Sequence, residues 1–284
     1  MKQIGSIIEM QRTAALLRAE SKIISVVPTM GFLHEGHLSL IRLAKKHAGV
    51  VITTIFVNPT QFGPREDFSS YPRDLERDQR VAESAGSDIL FIPSTEEMYP
   101  SPYHTFVEVE KLTSVLEGKV RPTHFRGVAT VVGKLFNITK PHIAVFGQKD
   151  AQQAVVIRQM VRDMNFDVEV MVGPIVREPD GLAMSSRNVY LSPDERKQSV
   201  ILSESLRRAE EMVATGERES SMIAGEIRRM IGAKAAASVD YVSVTSDSTL
   251  EEIATLQPGT RALISLPVRF GKTRLIDNSV VEVR

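Results

Sequence analysis

Short apolar, β-branched runs that alternate with amphipathic stretches, and that end in turn residues, predict an α/β fold whose first part is a Rossmann-like parallel sheet domain. The alternation stops near residue 176, and the rest of the chain reads as a smaller C-terminal α+β domain. Strands joined through helices run parallel and are covered on both faces, which is why such strands read as continuous apolar runs. A chain of 284 residues has room for two such domains.

Taken in order, residues 23–27 (IISVV) form the first buried strand, and Pro28, Thr29, Met30 and Gly31 read as its turn. Residues 35–48 then place Leu38, Ile41, Ala44 and Lys45 at helical spacing, with basic residues near the end where the helix dipole favours them. The unit recurs as a strand over 50–57, a helix near 74–85, a strand over 88–93, a helix near 127–138, a strand over 142–147, a helix near 150–164 and a strand within 167–176. Residues 93–102, Pro-rich and acidic, read as a connecting loop. Towards the C-terminus, helical stretches near 193–214 and 219–235 precede DYVSVTSD, TRALISLPVRF and TRLIDNSVVEV, which predict a small antiparallel sheet. The domains are accordingly expected at 1–176 and 177–284.

Lys plus Arg equals Asp plus Glu at 35 each, so the chain lacks the overall basic field with which nucleic-acid binders hold phosphates. The absence of Cys excludes disulfides, thiolate metal sites and thiol nucleophiles, and suits a reducing, cytoplasmic compartment. The opening MKQIGSIIEMQRTAALLRAE has no uninterrupted apolar core of a signal peptide, and no later run has the length of a membrane span.

Chemistry concentrates where strands hand over to helices, the edge at which open α/β sheets bind ligands. PTMGFLHEGHLSL places His34 and His37 three apart at a helix start, where backbone N–H groups and the dipole attract phosphate. The competing reading is that the two histidines only cap the helix. FVNPTQF projects Asn58 and Gln61 at the same edge, neutral amides suited to a small polar acid, or else a plain Asn-Pro turn. In FGQKDAQQ, Lys149 is placed to reach a phosphate, while Asp150 and Gln153 also have capping-box spacing. REPDGLAMSSRN carries Ser185, Ser186 and Arg187, able to clamp a polyphosphate and close over it, although serine-rich loops are commonly turns. His124 and Arg126 precede a helix and read equally as surface. The run 74–80 reads as a solvated helix face in which Asp78 has at most a part near Lys149 and magnesium.

PTMGFLHEGH, FVNPTQFG, YPRDLERD, HFRGVATVV, FGQKDAQQ and DGLAMSSRNVYLSPDER together, in order and spacing, resemble the pantothenate synthetase (pantoate–β-alanine ligase) family of the HxGH, cytidylyltransferase-like superfamily. The resemblance covers nearly the whole chain. It implies an ATP-dependent ligase that joins pantoate to β-alanine through a pantoyl adenylate, releasing AMP and pyrophosphate. It implies that Met30, Gly31, Phe32, Leu33, His34, Glu35, Gly36 and His37 line the ATP site, with His37 as proton donor and His34 beside it on phosphate. Gly147, Gln148, Lys149, Asp150, Val176, Met184, Ser185, Ser186 and Arg187 complete that pocket by the same carry-over. Gln61 and Gln153 hold pantoate, and Gln61 also faces β-alanine. The implied catalytic set is His37, His34, Lys149 and Arg187. Magnesium is expected to arrive on the ATP phosphates, since the sequence offers no compact carboxylate cage. A homodimer through the first domain is expected, with no nucleic-acid or membrane partner. Two rivals remain at this level: a nucleotidylyltransferase using the same turn, against which the paired glutamines speak, and a non-catalytic RNA-binding module, which the balanced charge opposes.

Overall fold

The computed structural model describes residues 1–64 and 66–283, and the chain divides into two compact units. The first comprises Met1–Gln148 and Gln152–Pro174; the second comprises Lys149–Ala151 and the chain from Ile175 onward.

The first unit is built on β1 (Lys2–Ile4), β2 (Ile24–Thr29), β3 (Val50–Ile55), β4 (Ile89–Phe91), β5 (Ile143–Gly147) and β6 (Glu169–Gly173), all parallel, in the order β1-β4-β3-β2-β5-β6. Its helices are α1 (Ile7–Ala19), α2 (Glu35–His47), α3 (Leu75–Ser84), α4 (Thr95–Met98), α5 (Glu117–Val120), α6 (His124–Thr139) and α7 (Ala151–Asp163). Neighbouring strand residues feed opposite faces. Val26 and Ile52 join one apolar cluster with Phe91, Phe136 and Met160, while Val27 and Val51 join another with Leu33, Ile41 and Val145. The sheet is thus covered on both sides, as the apolar runs predict. The strand order grows from β2 through β3 and β4 in one direction and through β5 and β6 in the other. That reversal between β2 and β5 is a topological switch point, where a crevice opens beyond the carboxyl ends of the strands.

Several expected boundaries move. Pro28 and Thr29 belong to β2 rather than to a turn, paired with Thr54 and Ile55 of β3. On the β5 side the pairing stops at Val26, so the missing N–H of Pro28 costs no ladder bond. The 93–102 segment contains the short helix α4, capped by Ser94, and α6 begins at His124, so that His124 and Arg126 lie inside the helix.

In the second unit, β9 (Arg261–Phe270) pairs antiparallel with β10 (Thr273–Glu282), with β7 (Ala237–Val239) and with β8 (Ser243–Ser246). Helices α8 (Pro193–Ser199), α9 (Ile201–Ala214) and α10 (Ser220–Gly232) accompany this sheet, and a separate core forms around Leu206, Ile223, Ile227, Ile264 and Phe270. The single helix expected over 193–214 is divided at Val200. Ser199 and Ser203 hydroxyls donate to the Arg196 and Val200 carbonyls at 2.8 and 3.0 Å, competing with the helical ladder there.

Candidate active site

The loop after β2 is shaped by what its backbone must do. Gly31 and Phe32 both have positive φ, 86° and 49°. A Cβ at Gly31 would lie 3.0 Å from Asp78 Oδ2 and 3.0 Å from Ile55 Cγ2, so glycine is required both for conformation and for space. Asp78, 1% exposed, accepts the N–H groups of Phe32 and Leu33 at 2.6 and 2.7 Å. Arg77 donates to the Leu33 carbonyl at 2.8 Å and sits 5.5 Å from the Phe32 ring centroid. Burial pushes the Asp78 carboxyl above its usual range, and the two N–H groups and Arg77 offset only part of that. Asp78 is therefore the buried anchor of this loop and not an exposed helix residue.

His34 is the N-cap of α2: its Nδ1 accepts from Gly36 N–H at 3.2 Å, and His37 Nδ1 accepts from His34 N–H at 3.3 Å. The two histidines form a reciprocal capping box with ring centroids 4.1 Å apart. With Nδ1 an acceptor on both rings, each neutral imidazole carries its proton on Nε2. The capping and chemical readings are therefore compatible, because they use different nitrogens. The N–H groups of Gly31, Phe32, Leu33, His34, Gly36 and His37 are all bonded inside the protein, to Thr29, to Asp78 of α3 and to the two histidines. With those amides committed, what this helix start offers an anion is its dipole and the two imidazole rings. Leu33 is fully buried in the core, and Glu35 is exposed with its carboxyl held below the usual range by the hydrogen bonds of Arg42.

The loop after β3 contains a 3₁₀ turn, Pro59–Gln61, capped by Asn58. Asn58 is 1% exposed and fully spent: its amide donates to Gln61 Oε1 and the Gly127 carbonyl, both at 3.1 Å, and its oxygen accepts from Thr60 and from the Tyr99 hydroxyl at 2.8 Å. The expectation that Asn58 presents itself to a ligand is corrected here; its donors and acceptors go to holding Gln61. Burial pushes the Tyr99 hydroxyl up to about 12, keeping it a neutral donor. Gln61 itself is 9% exposed, and its Nε2 lies 3.2 Å from Met30 Sδ, which joins this turn to the loop after β2. Its carbonyl accepts from His124 Nδ1 at 2.9 Å and from Arg121 at 3.4 Å.

At the end of β5, Gly147 leads into a 3₁₀ turn, Gln148–Asp150, and then α7. Gln152 is buried and spends its amide on Glu117 N–H and the Leu112 and Val115 carbonyls, each at 2.9 Å. Gln153 is half-buried with no hydrogen bond to the other described residues, so of the two adjacent glutamines only Gln153 has its amide uncommitted. The Lys149 side chain is 23% exposed, its Nζ 4.0 Å from Asp150 Oδ1, and its carbonyl accepts from Asn278 Nδ2 at 2.9 Å.

Within the second unit, Val176 and Met184 are brought together by a Met184 N–H to Val176 carbonyl bond of 3.0 Å. The intervening hairpin turns at Gly181, φ 98°, and is pinned by Arg177, whose guanidinium donates to both oxygens of buried Asp277 at 2.7 and 3.1 Å. Ser185 Oγ accepts from Arg187 N–H at 3.2 Å, starting the turn Ser186–Tyr190. In the first unit, Arg126 stacks on Phe106, its guanidinium carbon 3.7 Å from the ring centroid. Among the described residues, no group of three or more His, Asp or Glu is placed to hold a metal ion. Sequence reasoning missed the anchoring by Asp78 and Arg77, the support of Gln61 by Tyr99 and Gly127, and the hold of Asn278 on Lys149. The recurrence of Asp74 and Asp78 one turn apart was the available signal, with Asp74 capping α3 and Asp78 turned inward.

A family model for pantoate–β-alanine ligase matches residues 2–280. Pantothenate synthetases from Acetivibrio thermocellus and Heliobacterium modesticaldum are 54% and 55% identical over 283 residues, covering 100% of this chain and of each relative. The crystal structure of pantothenate synthetase from Thermus thermophilus matches with a TM-score of 0.91 at 44% identity, over 98% of this chain and 99% of that one. A pantoate–β-alanine ligase from Francisella tularensis, complexed with β-γ ATP and β-alanine, matches with a TM-score of 0.82 at 34% identity, over 99% and 97% of the two chains. With the whole length matched in sequence and in fold, this chain belongs to the pantoate–β-alanine ligase family.

Proposed function

We infer that this chain condenses pantoate with β-alanine at the expense of ATP, passing through pantoyl adenylate and giving pantothenate, AMP and pyrophosphate. The carrying observation is identity of 54% with a pantothenate synthetase over the entire length of both chains. A pantoate carboxylate oxygen attacks the α-phosphorus, and the bond to the β-phosphate bridge breaks. The amine of β-alanine then attacks the acyl carbon, AMP leaves with the former carboxylate oxygen, and the nitrogen loses a proton.

We propose that the residues at the carboxyl ends of β2, β3 and β5 carry these steps. Residues 30–37 receive ATP, with His34 and His37 donating from Nε2 to the phosphates as charge develops, and His37 acting as proton donor. Catalysis here is positioning and electrostatic stabilisation, with no covalent enzyme intermediate. Gln61 and Gln153 hold pantoate. The support is that Gln61 is fixed by Asn58 and Met30, and that Gln153 has its amide uncommitted. Gly147, Gln148, Lys149, Asp150, Val176, Met184, Ser185, Ser186 and Arg187 complete the nucleotide site, Lys149 and Arg187 neutralising phosphate charge. Magnesium enters as part of the MgATP substrate. Residues 1–176 act as the nucleotide- and pantoate-binding domain and 177–284 as a lid, in a cytoplasmic homodimer. No helix among the described residues is long and apolar enough to cross a membrane.

Incubation with ATP, magnesium and pantoate, with and without β-alanine, tests the reaction by mass spectrometry. AMP and pantothenate should accumulate together only when β-alanine is present, and absence of ATP turnover with pantoate would exclude the assignment. His37→Ala should lower pyrophosphate release by about 100-fold or more while the protein stays folded. Near-normal release by the folded variant would remove His37 from the chemistry.

A further inference from the structure

β-Alanine has two ends to be recognised. Its amine must reach the acyl carbon beside Gln61, and its carboxylate lies about 5 Å further on along an extended two-carbon chain. A carboxylate is held most specifically by a planar, partly buried guanidinium that meets both oxygens.

Arg121 has those properties. It follows α5 directly, its side chain is 19% exposed, and its Nη2 donates to the Gln61 carbonyl at 3.4 Å. Its Nε and Nη2 also donate to Glu66 Oε1 and Oε2 at 2.7 and 2.5 Å, fork to fork. The guanidinium next to Gln61 is therefore already reading a carboxylate, and that carboxylate is supplied by the chain itself. Burial pushes the Glu66 carboxyl up, but the hydrogen bonds and charge of Arg121 outweigh it, so Glu66 stays ionised on its partner. Glu66 comes from the turn closed by its own N–H on the Gly63 carbonyl at 3.0 Å, just after the Gln61 turn.

We propose that Arg121 is the receptor for the carboxylate of β-alanine and that Glu66 occupies it until the amino acid arrives. The proposal rests on the ligase reading. The exchange replaces one ion pair by another of the same geometry, so the partly buried Arg121 guanidinium is never left unpaired. It also favours β-alanine over amines that lack a carboxylate, because only the amino acid gains the Arg121 pair, while Glu66 stays in place for the others.

The competing view, a pair that merely ties two loops together, predicts that losing either partner weakens the enzyme. The exchange model instead predicts opposite signs. Glu66→Gln removes the internal competitor and should lower KM for β-alanine several-fold. Arg121→Gln and Arg121→Lys should raise it by roughly 30-fold or more. Propylamine, which lacks the carboxylate, reports on the same contact. Wild type should prefer β-alanine strongly, and Arg121→Gln should lose most of that preference. Pantoate-dependent exchange of labelled pyrophosphate into ATP reads the first half-reaction separately. In the Arg121 variants it should change far less than KM for β-alanine. A Glu66→Gln enzyme with unchanged or raised KM for β-alanine overturns the proposal, as does an Arg121 variant that loses β-alanine and propylamine turnover in equal measure. Absence of pantoate-dependent exchange in the wild type overturns the ligase reading, and the proposal with it.

Discussion

At the scale of single residues, the loops at the ends of β2 and β3 are organised by groups that hold the candidate reactive residues in place. Asp78 is the clearest case. Its two carboxylate oxygens take the Phe32 and Leu33 N–H groups, fixing the positive-φ loop that delivers His34 and His37 to the start of α2. Asparagine has the same shape but only one acceptor oxygen, so Asp78→Asn turns an N–H2 group toward a backbone N–H and leaves a buried donor unpaired. That should cost about 1–3 kcal/mol of stability, measured by denaturant titration, and lower pantoate-dependent pyrophosphate exchange by roughly 10-fold or more as the loop loses its single geometry. Normal exchange in a destabilised variant would limit Asp78 to a purely structural role. The histidines, the glutamines, Lys149 and the Ser-Ser-Arg sequence stand out in the sequence as candidates because such polar residues recur where apolar runs end. Direction was not legible. Asn58 and Gln61 look equivalent in FVNPTQF, yet Asn58 is consumed by Thr60 beside it and by Tyr99 and Gly127, 41 and 69 positions away. Asp78 looked solvated for the same reason: the N–H groups it accepts lie 45 and 46 positions upstream.

At the scale of elements, strands that are buried on both faces were easy to find, and short or weakly capped elements were not. β1 and β7 have three residues each, too few to show a period, and exist through their partners β4 and β9. The start of α6 was missed because its N-cap, Thr123, makes no side-chain capping bond and gives no signal in sequence. That helix nonetheless sets the position of Gln61. A Cβ on Gly127 would fall 2.4 Å from the Thr60 carbonyl oxygen and 2.7 Å from Gln61 N, backbone atoms that cannot step aside as a side chain could. Helix propensity alone favours Ala over Gly by about 1 kcal/mol, whereas overpacking costs about 1–3 kcal/mol, so the clash decides. Gly127→Ala should push α6 away from the turn and raise KM for pantoate by roughly 10-fold, with KM for ATP nearly unchanged. Equal effects on both substrates would mean that the disturbance spreads through the sheet instead of stopping at the turn.

At the scale of the molecule, the two units have separate apolar cores, one pair of clusters on the faces of the six-stranded sheet and another among α9, α10 and β9. The change of pattern after residue 176 showed that the second part differs. It did not show that Lys149–Ala151 group with that part, an assignment made by three-dimensional packing and by the Asn278 bond to the Lys149 carbonyl. The second unit has a vulnerable polar joint. Asp277 is fully buried, its carboxyl pushed upward by that burial and only partly restored by Arg177, and the pair fixes the hairpin between Val176 and Met184 to β10. Removing one partner of a buried ion pair costs about 3–5 kcal/mol, and the low end applies because Arg177, 30% exposed, can turn toward water. The loss should fall on one core only. In Asp277→Ala, hydrogen exchange read by mass spectrometry should show faster exchange over 177–184 and 261–282, while β2, β3 and β5 keep their protection. Loss of protection in both units at the same denaturant concentration would show instead that the two cores unfold as one cooperative body, with Asp277 contributing to the whole.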